Sequence, residues 1–299
     1  MKKLIVNADG FGFTFGNNRA ILEVLEHGFI RSVSVNVTWP AVDEIGVLVR
    51  HFPHVSVGIH LNLSVGPPVL PPAEVPSLVG PDGEFHGPAF RRLAARGALD
   101  RDEMRRELHA QFAVLRDRGV RITHWDSHQG RHLYPGFFEA VLAVAREEGI
   151  LATRSFDYHL VFPPGRRARR VAGYYLRHPA QVLTHTAAAR RMRQERRAGM
   201  RMPDRRLVIK AIGPDAVYRP DCWNALLETM PDGWNMTECH PGYVDEDLRR
   251  YSHLVATRER ERDLFADPAW PRRAEDAGVE VTDYFEFIGS AGNAPPQQA

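Results

Sequence analysis

Polar residues recur at alternate positions near the ends of otherwise apolar runs. Asn7 and Asp9 follow "KLIV". His60 and Asn62 lie in "VSVGIHLNLS", His124, Asp126 and His128 in "RITHWDSH", and Glu238 and His240 in "WNMTECH". Residues two apart on a strand share a face, so each run would aim its amide, carboxylate or imidazole groups to one side. Imidazoles and carboxylates without thiolates suit a divalent metal with an open position for water. Such an ion lowers the pKa of bound water and polarises a carbonyl. A further carboxylate could then act as base, and a further histidine as acid for the leaving group. This is equipment for metal-assisted hydrolysis of an amide or ester. The chain has neither a G-x-S-x-G elbow nor a P-loop, so serine-hydrolase and NTPase chemistry find no support.

These groups need a scaffold that brings strand ends together. Strand-like runs ("KLIVNAD", "SVSVNVTW", "VSVGIHLNLS", "RITHWDSH", "ILATRSF", "RLVIKAI", "WNMTECH", "VEVTDYFEF") alternate with helical ones. In "NNRAILEVLEHG", Ala20, Ile21, Val24 and Leu25 fall at helical spacing and Gly28 ends the pattern. "DRDEMRRELHAQFAVLRDRG" is amphipathic, with Asp100 or Asp102 as its N-cap. Strands alternating with helices mean βαβ units and a parallel sheet. Seven or eight such units favour an α/β fold closed, or nearly closed, into a barrel with its site at the C-terminal strand ends.

The 299 residues carry a formal net charge of +2, and 43% are apolar. No run of about 18 apolar residues suggests a membrane span. "MKK" resembles a leader's first segment, but the apolar run ends at Asn7, too short for secretion. Two cysteines, Cys222 and Cys239, form no disulfide framework and read as packing residues of a reduced, cytoplasmic protein. Thirteen arginines fall between Arg166 and Arg206. They read as a solvated helical insertion over about 163–206, or as a surface for an anionic or lipid-linked ligand. No nucleic-acid motif accompanies them, so no nucleic acid is expected. "GPPVLPPAEVPSLVGPDGEF" is long enough to be a substrate lid, though a static loop fits equally. Residues 290–299 read as a disordered tail beyond a single domain over 1–289. A homodimer is left open.

"LIVNADGFG", "VGIHLNLSVGPPV", "THWDSHQGRHLYP" and "TECHPGYVDEDLR" together resemble the four signature blocks of the YdjC-like carbohydrate deacetylases, which include the chitooligosaccharide deacetylases. The resemblance runs from Lys3 to about Phe287, the arginine-rich insertion excepted. It implies a distorted (β/α) barrel that removes N-acetyl groups from amino sugars or glycoconjugates with a divalent metal, magnesium or zinc. It implies His60 and His128 as metal ligands and Asp9 as general base. His240 would lie near the leaving amine or hold the substrate, and Arg154 falls where the family often has an active-site arginine. Asn7, Asn62, His124, His132 and Glu238 would support the substrate or the ligands. The sequence departs from the family pattern twice. Gly10 stands where the third metal-ligating acid is expected, and Gly130 replaces a histidine while His132 remains. Asp9 could then enter the metal shell, with Asp126 or a water taking the base role. Alternatively the chain binds a sugar or glycolipid without turnover. A metal phosphoesterase on the same barrel is a third reading.

Overall fold

The described residues form eight strands: β1 (Lys2–Phe11), β2 (Ser32–Val35), β3 (Ser56–Leu61), β4 (Ile122–Ser127), β5 (Tyr158–Val161), β6 (Arg205–Ile209), β7 (Gly233–Cys239) and β8 (Val279–Thr282). The computed structural model describes residues 1–134, 136–162, 173, 176–209, 218–252 and 254–290; the side chains at 131, 132, 180–182, 184 and 185 lie outside that description. Every strand pairing is parallel. The order is β4-β3-β2-β1-β7-β6-β5, with β8 against the first half of β1. Helices lie between successive strands, so the expected parallel α/β architecture is present.

The two sheet edges meet at a seam. Trp125 of β4 bridges Thr153, and Ala152 bridges Arg201, both in parallel. The Trp125 N–H donates to the Ala152 carbonyl at 3.0 Å, and the Thr153 N–H to the Arg201 carbonyl at 2.9 Å. These bonds carry the sheet from β4 round to the segments that lead into β5 and β6. The run "ILATRSF" is therefore no strand of its own. It makes two isolated bridges, and β5 begins only at Tyr158. The final run also stops early: β8 ends at Thr282, and Asp283 Oδ1 accepts the Glu286 N–H at 3.0 Å to start the helix Tyr284–Ser290.

β1, β2 and β3 are buried along almost their whole length, as strands covered on both faces should be. The helix Arg101–Asp117 shows how its sequence fixes it. Asp100 is the N-cap, accepting from the Asp102 and Glu103 N–H groups, and Met104, Leu108, Phe112 and Leu115 form the buried stripe. The same helix anchors the Pro/Gly-rich loop. Buried Glu107 accepts the Val69 and Leu70 N–H groups at 2.9 Å each, and Glu103 accepts the Ser77 N–H at 2.8 Å. Val75 and Leu78 are buried beneath it. These bonds tie the loop to the helix.

Within the arginine-rich region, Pro179–Arg197 is helical with Met192 buried, while residues 163–172, 174 and 175 lie outside the described residues. Arg205 and Arg206 belong to β6, so the sheet resumes before the expected end of the insertion. The tail expected at 290–299 also lies outside, save Ser290. Cys222 and Cys239 are buried and unpaired. Among the described residues no helix is long and apolar enough to cross a membrane.

The sheet interior leaves no room for side chains at certain points. Gly58 pairs with His124 across β3 and β4, and a Cβ there would lie 2.3 Å from His124 Nε2. The ring cannot retreat, because it stacks on Tyr284 with centroids 3.8 Å apart. Gly58→Ala is therefore expected to lower the unfolding free energy by about 1–3 kcal/mol by overpacking, read by urea denaturation. A variant as stable as the parent would contradict this account of the interior.

Candidate active site

The site begins with register. Asn7 pairs with Glu238, Asp9 with Ser34, and His60 with Asp126. Parallel strands of matched register thus set three polar pairs side by side at the C-terminal ends of β1, β2, β3, β4 and β7. Between Asp9 and Phe11 the β1 register shifts, and Gly10 there has φ +109, a conformation that glycine tolerates and other residues do not.

Arg154, from the seam after β4, reaches into the centre. Its Nη1 donates to Asp9 Oδ2 at 3.1 Å and its Nη2 to Asp9 Oδ1 at 2.8 Å. The same Nη2 contacts Asp126 Oδ2. Asn7 Nδ2 donates to Asp9 Oδ1 at 2.7 Å and to Ser34 Oγ at 2.8 Å, and Ser34 Oγ donates to Asp126 Oδ2 at 2.7 Å. Ser32 Oγ donates to Asn7 Oδ1 at 2.5 Å and so fixes that amide. His60 Nδ1 bonds Asp126 Oδ1. A carboxylate on one ring nitrogen sets the tautomer and turns the other nitrogen outward.

Burial and charge then set protonation. Burial opposes ionisation of Asp9, but Arg154, with His60 and His240 behind it, holds the carboxyl well below the usual range. Burial, with repulsion from Arg154 and Arg258, pushes His60 down to about 4. Burial, with repulsion from His60 and Arg258, pushes His128 well below its usual value. Burial and Arg258 take His240 to about 4. All three rings are thus neutral at pH 7, the form that offers a lone pair. Burial pushes Glu238 up, but Arg206 overrides this and keeps it low. Glu261, half-buried and accepting the His240 backbone N–H, is pushed up to about 7 by desolvation.

The chain tests well as a metal holder. One ligand atom each of Asp9, His60 and Asp126 lies within 4.8 Å of the others. Both Asp126 oxygens already meet hydrogen-bond partners, and so do both Asp9 oxygens. His128 lies beside this trio, its ring centroid 5.7 Å from that of His60, and its buried Nε2 has no partner among the described residues. Neutral imidazoles with carboxylates beside them are a donor chemistry suited to a divalent ion.

The structure gathers Asp9, His60, His128, Arg154, Glu238 and His240 around one cleft of about 320 Å³. Asn7 supports Asp9 from below. His124 sits one layer deeper, its Nε2 3.3 Å from Ser34 Oγ. Asn62 is not brought to the site: its Oδ1 accepts the Ser64 and Val65 N–H groups at 3.1 and 3.2 Å, so a local turn takes up its amide. The His132 side chain lies outside the described residues. Sequence reasoning missed Ser34, Asn36, Arg206 and Arg258. Ser32, Ser34 and Asn36 carried a signal, alternation within "SVSVNV". Arg206, which grips Glu238, and Arg258, which is buried at the cleft, sit inside ordinary-looking charge runs.

Fold and site together define a parallel α/β protein with an acid–imidazole centre at its strand ends. The chain belongs to the YdjC-like protein family, whose pattern matches residues 3–276. It is 29% identical over 287 residues to a carbohydrate deacetylase of Geobacillus stearothermophilus, covering 95% of this chain and 97% of that protein. A chitooligosaccharide deacetylase of an Enterobacter species is 37% identical over 150 residues, 50% of this chain and 58% of that protein. A crystal structure from Enterococcus faecalis, of a protein put forward for cellobiose-phosphate cleavage, superposes with a TM-score of 0.70 at 24% identity. That superposition covers 95% of this chain and 98% of that one, and it supports the fold.

Arg154→Met would leave two buried carboxylates facing each other, at an expected cost of about 3–5 kcal/mol near neutral pH. The sign with pH follows from Asp9. A carboxyl depressed in the folded state stabilises above its unfolded pKa of about 4 and loses that contribution as pH falls below it. Without Arg154, burial raises the same carboxyl, so acid relieves the variant instead. The stability gap between parent and variant should therefore narrow on going from about pH 7 to about pH 3. Denaturant melts across that range check this, and a gap that widened in acid would refute it.

Proposed function

We propose that the chain is a carbohydrate deacetylase that removes the N-acetyl group of an amino sugar or glycoconjugate. The observation that carries this reading is the buried Asp9, gripped by Arg154, facing the same cleft as His60, His128 and His240. The relatives' names supply the substrate class, and a cleft of about 320 Å³ is at the lower end of the size for a sugar-sized ligand.

His60 and His128 would hold a divalent ion, leaving Asp9 beside it as the base. Bound there, such an ion supplies Lewis-acid polarisation of the acetyl carbonyl and a lower pKa for water. The protein's own groups do the rest. Asp9 takes a proton from the attacking water as the water oxygen bonds to the acetyl carbon. The carbon–nitrogen bond then breaks and the nitrogen takes up a proton, giving acetate and a free amine. His240 is the group placed to pass that proton on, since its Nε2 lies 3.7 Å from Asp9 Oδ2 and its ring is 30% exposed to the cleft. Asn7 and Arg154 fix the two Asp9 oxygens, and Asp126 fixes the His60 tautomer.

A second reading, ligand binding without turnover, has its own support. A base works best with a pKa near the working pH, and Arg154 holds Asp9 far below it. Gly10 brings no carboxylate to the cleft.

Acetate release from N-acetylglucosamine oligomers, with magnesium, manganese, zinc, cobalt or nickel supplied, separates the two. Turnover is expected, with Asp9→Asn slowing it by about 10²–10⁴-fold and His128→Gln losing retained metal on elemental analysis. If the parent binds the oligomers yet releases nothing with any ion, the active-enzyme reading is lost and binding without turnover stands.

A further inference from the structure

Beside Gly10 stand three buried donors, of which Arg258 Nη1 belongs to a residue that lines the cleft and has no partner among the described residues. A Cβ built on Gly10 would lie 3.4 Å from Asn17 Nδ2, 3.5 Å from Arg258 Nη1 and 3.9 Å from Asn36 Nδ2. All three residues are buried, with Asn17 fully enclosed and Arg258 3% exposed. Arg258 Nη1 and both amide atoms of Asn17 have no hydrogen-bond partner among the described residues. Arg258 Nε is held by the Leu254 carbonyl at 3.0 Å, which leaves the outer edge of the guanidinium toward the cleft.

The charges around the cleft point the same way. Arg154 has Asp9 and Asp126, and Arg206 has Glu238. Arg258 has no carboxylate in ion-pair contact among the described residues. Glu261, nearby, bonds the His240 N–H instead. A buried cation without a hydrogen-bonded anion is costly, and so is a buried amide with no partner. Both costs vanish when an oxyanion sits among them, because charge-assisted bonds to a carboxylate are short and strong.

We infer that the space beside the Gly10 Cα is an oxyanion subsite, which seats one carboxylate against Arg258 Nη1 with Asn17 and Asn36 as flanking donors. The carboxylate has two sources. It is the acetate freed by the proposed deacetylation, or it is a carboxylate carried by an acidic amino sugar. The first source rests on the proposed function and the subsite itself does not.

The test reads binding rather than turnover. Carbon-13 acetate is titrated into the full chain at constant ionic strength and followed by NMR. Saturable binding of one acetate per chain is expected. Arg258→Gln should weaken it by at least about tenfold, roughly 1.4 kcal/mol. Asn17→Asp guards against a misfolded variant, since it sets a carboxylate of the same shape beside the guanidinium. It should abolish acetate binding while holding or raising the melting temperature.

Comparing N-acetylmuramic acid with N-acetylglucosamine separates the sources. A preference of at least about tenfold for the acid, lost in Arg258→Gln, assigns the carboxylate to the substrate. Equal binding of the two sugars, with acetate bound, assigns it to the product. No acetate binding and no such preference would overturn the subsite. So would acetate binding that survives both variants and disappears in His128→Ala, since the anion would then sit by the imidazoles. Failure of acetate release would sink the deacetylase reading alone.

Discussion

The site depends on one buried guanidinium. Arg154 contacts both Asp9 and Asp126, and neither carboxylate is more than slightly exposed. Two carboxylates this close and this dry could not both ionise without a cation between them. Arg154 makes their coexistence possible, and other contacts follow from it. An ionised Asp126 holds His60 by Nδ1. An ionised Asp9 accepts from Asn7, and Asn7 is fixed in turn by Ser32 and contacts Ser34. The arginine enters from the seam, where Ala152 and Thr153 bridge their neighbours immediately before it. The segment that bridges β4 to its neighbours therefore also delivers the cation of the site.

The polar alternation in the sequence was enough to find the acids and imidazoles, because a strand's period of two is a local property. It also gave the fold, since strands separated by helices have few ways to pack. Partnership was not legible. That Asp126 serves His60 follows from the β3–β4 register, which depends on contacts between residues 66 apart. Arg206 and Arg258 were hidden for a related reason. In "PDRRLV" and "ATRERERD" every charge looks solvated, and only the packed structure decides which one turns inward. Asn62 failed in the opposite direction: its position on the strand was right, but the turn that follows took up its amide. "DYFEF" failed because Asp283 caps a helix, and a capping bond outweighs the β-propensity of Tyr and Phe.

The same arrangement that prepares the cleft for a ligand also limits its chemistry. Desolvation and neighbouring arginines keep His60, His128 and His240 neutral, so three lone pairs are available without competition from protons near neutral pH. Yet Arg154, by making Asp9 a secure anion, makes it a reluctant proton acceptor. Catalysis would need that grip to loosen in the substrate complex. A second cation near Asp9 draws off some of its charge and weakens it further as a base; an anion beside Gly10 does the reverse. A carboxylate seated against Arg258 would cancel the positive field that now falls on Asp9 and His240, raising the proton affinity of both. Occupancy of the Gly10 space and basicity of Asp9 are thus coupled through charge alone, and the glycine that removes a carboxylate from the chain leaves the cleft responsive to one supplied by a ligand.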